Sequence, residues 1–257
     1  MTRTRVYQTE AIIIKRIKLG EADRILTLYT PDLGKLKAVA KGTRRPKSKL
    51  GGHVEVLTHS LLMLARGRNL DIITQAQTID NFLPLKDDLG RTAYGFYISE
   101  LVDSFTAEHI ENRRLFDLLL ETLNQLCQAK DSEFILRYFE LHLLDHLGYR
   151  PQMQQCTSCN APLQPVTNFF SSIQGGVLCN DCGYQEPLAR PLSLNALKVL
   201  RLWQNCDHTT ARRVKVNSQL SLELDQVMRE YLKYLLERQL KSTAWLDKLK
   251  REIHQKI

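Results

Sequence analysis

Apolar and polar positions along the first eighty residues recur with the short period of strands. Aliphatic and β-branched residues concentrate at 11–14, 24–30, 35–41, 54–66 and 70–79, predicting five strands. Pro31, Asp32, Leu33 and Gly34 carry turn chemistry between two of them, and Gly67, Arg68 and Asn69 separate the last two as a tight hairpin. Beyond Pro84 the period lengthens to that of helices. Tyr94, Ile98, Leu101 and Phe105 form one stripe, and Phe116, Leu119, Leu120, Leu123, Leu126 and Cys127 the next. A third helix, 132–147, is apolar on most sides and reads as a central helix, with Gly148 and Pro151 to stop it. A fourth begins near Ser193, a fifth carries Leu224, Val227, Met228, Tyr231 and Leu235, and a sixth is predicted over 245–257. Strands first and helices after is the order of an α+β chain.

Five short antiparallel strands with one long basic loop fit an OB-fold barrel over residues 1–80, an SH3-like barrel being the alternative. Residues 81–257 then form an α-helical domain, and 257 residues suffice for two such units. Hydrophobic residues at 43% and charged residues at 25% exclude a chain that is disordered throughout. The longest apolar runs, such as 11–14 and 61–65, fall far short of the roughly 20 residues of a membrane-spanning helix. With no secretory pattern after the basic residues at the start, the chain is expected in the cytoplasm.

The net charge of +8 is unevenly placed. Residues 1–80 hold 15 basic and 7 acidic side chains, whereas residues 81–257 hold 21 of each. Seven cations, Lys35, Lys37, Lys41, Arg44, Arg45, Lys47 and Lys49, lie in a stretch with no acid between Leu33 and Val54. Strand alternation over 35–41 sets Lys35, Lys37 and Lys41 on one face and Leu36, Ala38 and Ala40 on the other. One core face and one cationic face, extended by a basic loop, predict a polyanion partner, and nucleic acid above all.

Cys156, Cys159, Cys179 and Cys182 form a C-x2-C-x19-C-x2-C pattern. Two residues between thiolates let a turn aim both sulfurs at one ion, and two such knuckles complete a tetrahedron. Four thiolates leave no open position, so one structural Zn2+ is expected. A rubredoxin-like iron centre or a thioredoxin-type pair lacks supporting redox chemistry elsewhere. Asn160 and Gly183, each after the second cysteine of its pair, are expected to ease the turns through positive φ. A hairpin around Gly175 and Gly176 makes 151–190 a zinc-ribbon-like insert. Cys127 and Cys206 read as small apolar residues.

Catalytic patterns are weak. His142 and His146 imitate a histidine-pair metal motif, but they continue the stripe of Ile135 and Phe139 and enclose Asp145 where a glutamate is required. The sequence holds no phosphate loop, dinucleotide fingerprint or nucleophile elbow. A non-enzymatic protein is expected; a metal-dependent nuclease built from scattered acids and a zinc-containing transcription regulator are the competing readings.

The G-E-A-D-R-I-L run from Gly20 and the K-G-x-R-R-P-K-S run from Lys41 closely resemble the N-terminal domain of the bacterial RecO family of DNA repair proteins. The likeness continues through Leu147, Gly148 and Tyr149, the paired cysteines, Gly175 to Cys179 and Leu240 to Ser242, covering nearly the whole chain. The zinc-bearing type of that family is the one it resembles. The resemblance implies a protein without bond chemistry that binds single- and double-stranded DNA and anneals complementary strands. With RecR, it helps RecA load onto DNA coated by single-stranded-DNA-binding protein. It implies a DNA-binding role for Lys35, Lys37, Lys41, Arg44, Arg45, Lys47 and Lys49, with Arg66 and Arg68 as additions at a hairpin tip. It implies nucleoid association. It further implies that the acidic tail of single-stranded-DNA-binding protein docks on the helical domain, where Arg113, Arg114 and Arg137 are the candidates. Tyr7 and Tyr29 are the only aromatics before Phe82, so binding led by the sugar-phosphate backbone and sensitive to salt is expected.

Overall fold

The computed structural model describes residues 5–129 and 132–254, with side chains to residue 248. The last three residues of the sixth predicted helix lie outside them. Five strands open the chain: β1 (Val6–Leu19), β2 (Asp23–Thr30), β3 (Gly34–Ala40), β4 (His59–Ala65) and β5 (Asp71–Asp80). They pair in the order β1-β2-β3-β5-β4, and β4 returns to β1, which makes an OB-like barrel. Every seam is antiparallel except β3 to β5, a parallel contact of three registered pairs. That seam has the fewest pairs of the five.

β1 is far longer than its apolar run because it serves two partners. Val6 to Ile12 pair with β4, and Ile12 to Leu19 pair with β2, with a register break between Ile13 and Lys15. Such a bulge bends a strand, which a small barrel requires. Ala11, Ile13, Leu26, Leu28, Leu36, Ala38, Val54, Leu62, Leu64 and Ile73 fill the interior. Ile12, Ile14 and Tyr29 face the other way and are buried too. The reason is helix α2 (Leu89–Phe105), which packs on β1. An uninterrupted apolar run is thus what a strand covered on both faces needs.

The predicted strand over 54–66 is shorter than expected. Val54 ends a 3-10 turn, Gly51–Val54, and the ladder resumes only at His59. Between them Leu57 takes φ 58°, which no strand residue adopts. At the β2–β3 turn, Gly34 (φ 61°) is required sterically, since a Cβ there would lie 1.9 Å from the Ile110 carbonyl oxygen.

Two further helices, the short α1 (Leu83–Lys86) and α3 (Arg113–Gln128), follow the barrel in sequence. Asp88 and Asn112 cap α2 and α3, accepting from Arg91 N–H and Leu115 N–H. Together with α9 (Lys241–His254), they belong to one compact unit with the barrel, residues 1–130 and 240–257. Periodicity changes near residue 80, whereas compactness changes near 130: the apolar outer face of β1 needs a cover, and α2 supplies it.

The second unit, residues 131–239, has a helical core of α4 (Ser132–His146), α6 (Leu194–Asn205) and α8 (Ser218–Leu236). α4 is buried nearly all round, as its composition requires. His142 Nε2 lies 3.0 Å from the Trp203 carbonyl oxygen, its ring packs on Tyr138, and burial lowers its pKa. It is a satisfied core histidine. The same unit carries a small sheet of β6 (Asn168–Ser171), β7 (Gly176–Leu178) and β8 (Arg190–Leu192), ordered β7-β6-β8. Two short helices complete it, α5 (Asn180–Gln185) and α7 (His208–Ala211).

Candidate nucleic-acid interface and metal centre

Residues 41–50 form a folded loop. Gly42 N–H donates to Asp23 Oδ1 at 2.7 Å and Arg44 N–H to the Ala22 carbonyl at 3.0 Å. Arg44 Nη1 donates to the Gly20 carbonyl at 2.9 Å. Two successive turns follow, Arg45 N–H to Gly42 O and Ser48 N–H to Arg45 O. Thr43 is buried and Leu50 packs on the barrel core. The loop is therefore fastened to the β1–β2 hairpin tip, while Lys41, Arg44, Arg45, Lys47 and Lys49 stay exposed. Among the described residues, none of these five has a carboxylate within salt-bridge distance.

Lys35 and Lys37 are placed differently. Lys35 is 8% exposed, and its Nζ donates to the Asp103 carbonyl at 2.5 Å and approaches Asp103 Oδ1 at 3.3 Å. It is therefore removed from the predicted DNA face, because α2 lies over that end of β3. Burial alone would raise the Asp103 carboxyl, but Lys15 and Lys35 outweigh it and hold it below the usual range. Lys37 is exposed and meets Glu108 Oε1 at 2.5 Å, a hydrogen bond that raises its pKa. Arg66 lies over the Tyr7 ring at 4.8 Å, and Arg68 is exposed at the β4–β5 tip. The Tyr7 hydroxyl donates to Asp71 at 2.5 Å, and burial with that bond raises its pKa. Tyr29 is wholly buried, so neither tyrosine is a free stacking platform.

Three cations of this surface escaped the linear reading: Arg16, Lys18 and Arg24. Lys18 and Arg24 stand opposite each other across the hairpin, an unfavourable like-charge pair. Glu55 bridges Arg16 and Arg24, the latter at 2.7 Å. Burial, Arg16 and Arg44 together lower the Arg24 pKa, which marks a crowd of positive charge beside the hairpin tip. The signal lay in pairing arithmetic around Gly20, since a run-based charge count sees only residues adjacent in sequence.

The three arginines suggested for partner contact separate. Arg137 is 5% exposed and held by Glu140 at 2.8 Å and Asp225 at 3.1 Å inside the helical core. It cannot meet an external carboxylate, and that assignment is corrected: a buried guanidinium must be paired, and its partners are internal. Arg113 and Arg114 begin α3 on the surface, Arg113 in an exposed pair with Asp32 at 2.8 Å.

The four patterned cysteines converge. Their sulfurs all lie within 4.8 Å of one another, and Cys159 Sγ to Cys179 Sγ is 3.8 Å. A tetrahedron with sulfur about 2.3 Å from its centre has edges of about 3.8 Å, so the set fits a metal ion. The Asn160 N–H donates to the Cys156 carbonyl with Asn160 at φ 60°, as expected for the first knuckle. Gly183 acts by another route. Its φ is not positive; instead a Cβ there would sit 2.2 Å from the Phe169 ring, so glycine is needed for close packing. Burial would raise the Cys156 thiol, but donors from the Cys159, Cys179 and Ser158 backbone bring it to about 6. Against a lowering bond from Ser158, Cys179 and Cys159 push Cys182 up to about 12. Ionising four neighbouring thiols is opposed by their mutual repulsion, which a cation among them relieves.

Comparison with known proteins identifies the family of the chain. Residues 1–82 match the family model described as Recombination protein O N terminal, and residues 86–244 that described as Recombination protein O C terminal. The chain is 46% identical over 245 residues to the DNA repair protein RecO of Roseiflexus sp. (strain RS-1), covering 95% of this chain and 86% of that protein. It is 41% identical over 251 residues to the DNA repair protein RecO of a Dehalococcoides mccartyi strain, covering 98% and 99%. The chain belongs to the RecO family of DNA repair proteins.

Proposed function

We propose that this chain is a non-enzymatic recombination mediator of the cytoplasmic nucleoid. It binds single- and double-stranded DNA and anneals complementary strands. With RecR, it helps RecA load onto DNA covered by single-stranded-DNA-binding protein. The observation that carries this reading is the exposed, acid-free set Lys41, Arg44, Arg45, Lys47 and Lys49, on a loop tied by Arg44 to the β1–β2 tip. Annealing requires phosphates to be neutralised so that two strands approach while base edges stay free to pair. Fixed cations with few free aromatics do that.

Arg66 and Arg68 extend the same surface at the β4–β5 tip, and Arg16, Lys18 and Arg24 at the other hairpin. Lys37 joins once DNA competes with Glu108. Arg113 and Arg114 remain as the rim for the acidic tail of single-stranded-DNA-binding protein. The four cysteines hold one structural Zn2+, closed to water and therefore without a catalytic role.

The test is annealing of two complementary labelled oligonucleotides without ATP, beside a Lys41, Arg44, Arg45, Lys47 quadruple alanine variant. Wild type accelerates annealing and the variant does not. Magnesium-dependent loss of the labelled DNA would instead assign a nuclease, and a strong preference for one duplex sequence a transcription regulator.

A further inference from the structure

A pocket of about 440 Å³ opens where β1 meets α2, within the first compact unit. Its lining combines apolar Ile14, Val56, Leu57 and Phe96 with the cations Lys86 and Arg16. That volume and mixture suit a small planar group joined to an anion. Both backbone irregularities of this region lie in its wall: the β1 bulge falls at Ile14, and Leu57 holds φ 58°. Such distortions are retained where surrounding structure compensates them, commonly beside binding sites.

The side chains are poised for an occupant. Phe96 is 40% exposed at the pocket wall, and its ring lies 6.4 Å from that of Trp245, which is 36% exposed. Lys86 Nζ donates to Thr58 Oγ1 at 2.7 Å, leaving protons for a further acceptor. Burial lowers its pKa, with Asp80 opposing and Arg16 adding to that shift. Continuity with the basic surface favours DNA over other anions. Glu55, also in the pocket wall, joins Arg16 to Arg24, and Arg24 neighbours Arg44 of the basic loop.

We propose that this pocket takes a nucleobase of single-stranded DNA against Phe96, with the adjoining phosphate held by Lys86 and Arg16. The inference rests on the DNA-binding reading above and adds the feature by which a single strand differs from a duplex: an unstacked base can enter, a paired one cannot.

Photo-cross-linking of the full chain to an oligothymidylate carrying 5-iodo-deoxyuridine tests it without altering the protein. The cross-link is expected in the peptides containing Phe96 or Lys86. Phe96→Ala should weaken oligothymidylate binding roughly tenfold, the scale of one lost base stack, with duplex affinity unchanged. Phe96→Tyr should restore it. Equal weakening for single strand and duplex, or cross-links confined to other peptides while wild type still binds, would overturn the pocket but leave the basic surface standing. Absence of DNA binding by wild type would instead remove the broader proposal. Cross-links displaced by an Asp-rich peptide that itself binds the pocket more tightly would assign it to acidic protein segments.

Discussion

A lysine's place in a strand says which way it points, and its partner decides what it does. Alternation correctly sets Leu36, Ala38 and Ala40 inward, yet it cannot foresee that Asp103 of α2, 68 residues later, comes onto Lys35. Lys35→Met is therefore expected to cost about 1–3 kcal/mol of stability at pH 7, read by urea unfolding, while duplex affinity changes less than twofold. The sign with pH follows from Asp103. Its folded pKa is depressed, so its pairing stabilises the fold above the unfolded carboxylate value and is lost as pH falls through the folded one. The difference between wild type and variant should shrink as pH falls below the unfolded carboxylate value; a constant difference would contradict the pairing. Arg137 teaches the same lesson. Its helical position was legible in sequence, but its burial among Glu140 and Asp225 depends on α8, which lies far along the chain.

At the scale of elements, local chemistry was legible wherever it was self-contained. The C-x2-C spacing, Asn160 at positive φ and the β6–β7 hairpin were all readable because each is settled within a few residues. The start of α6 near Ser193 was readable for the same reason: the Ser193 side chain accepts from the Ala196 N–H at 3.1 Å. The start of the fourth strand was not, since Leu57 leaves extended geometry where its N–H donates to the Ile13 carbonyl on another strand. Gly183 sits between these cases. Its identity was noted, but its reason is the Phe169 ring rather than a turn. Gly183→Ala is thus expected to lower the bound metal, measured as ions per purified chain, from one towards zero. Gly52→Ala, where a Cβ meets nothing within 4 Å, should leave the metal content at one. Equal metal in both variants would show that close packing on Phe169 does not hold the second knuckle.

On the scale of the whole molecule, charge is divided more sharply than structure. The chain forms two compact units of mixed content, yet its entire formal excess of positive charge lies in the first 80 residues. That asymmetry was plain from counting. What counting could not supply was the joining of the basic loop to Arg16, Lys18 and Arg24, which are remote in sequence and meet only through the hairpin around Gly20. The account's central claim is that this surface carries the DNA. Its most direct test is the salt dependence of duplex affinity for wild type, for the Lys41, Arg44, Arg45, Lys47 quadruple alanine variant, and for a control replacing the exposed Lys198, Arg212, Arg213 and Lys215 of the second unit. Each phosphate contact contributes about 0.9 to the slope of log affinity against log salt, so the loop variant should lose up to about 3.6 of that slope and the control none. A slope unchanged in the folded loop variant but reduced in the control would place the DNA path on the helical unit and contradict the account.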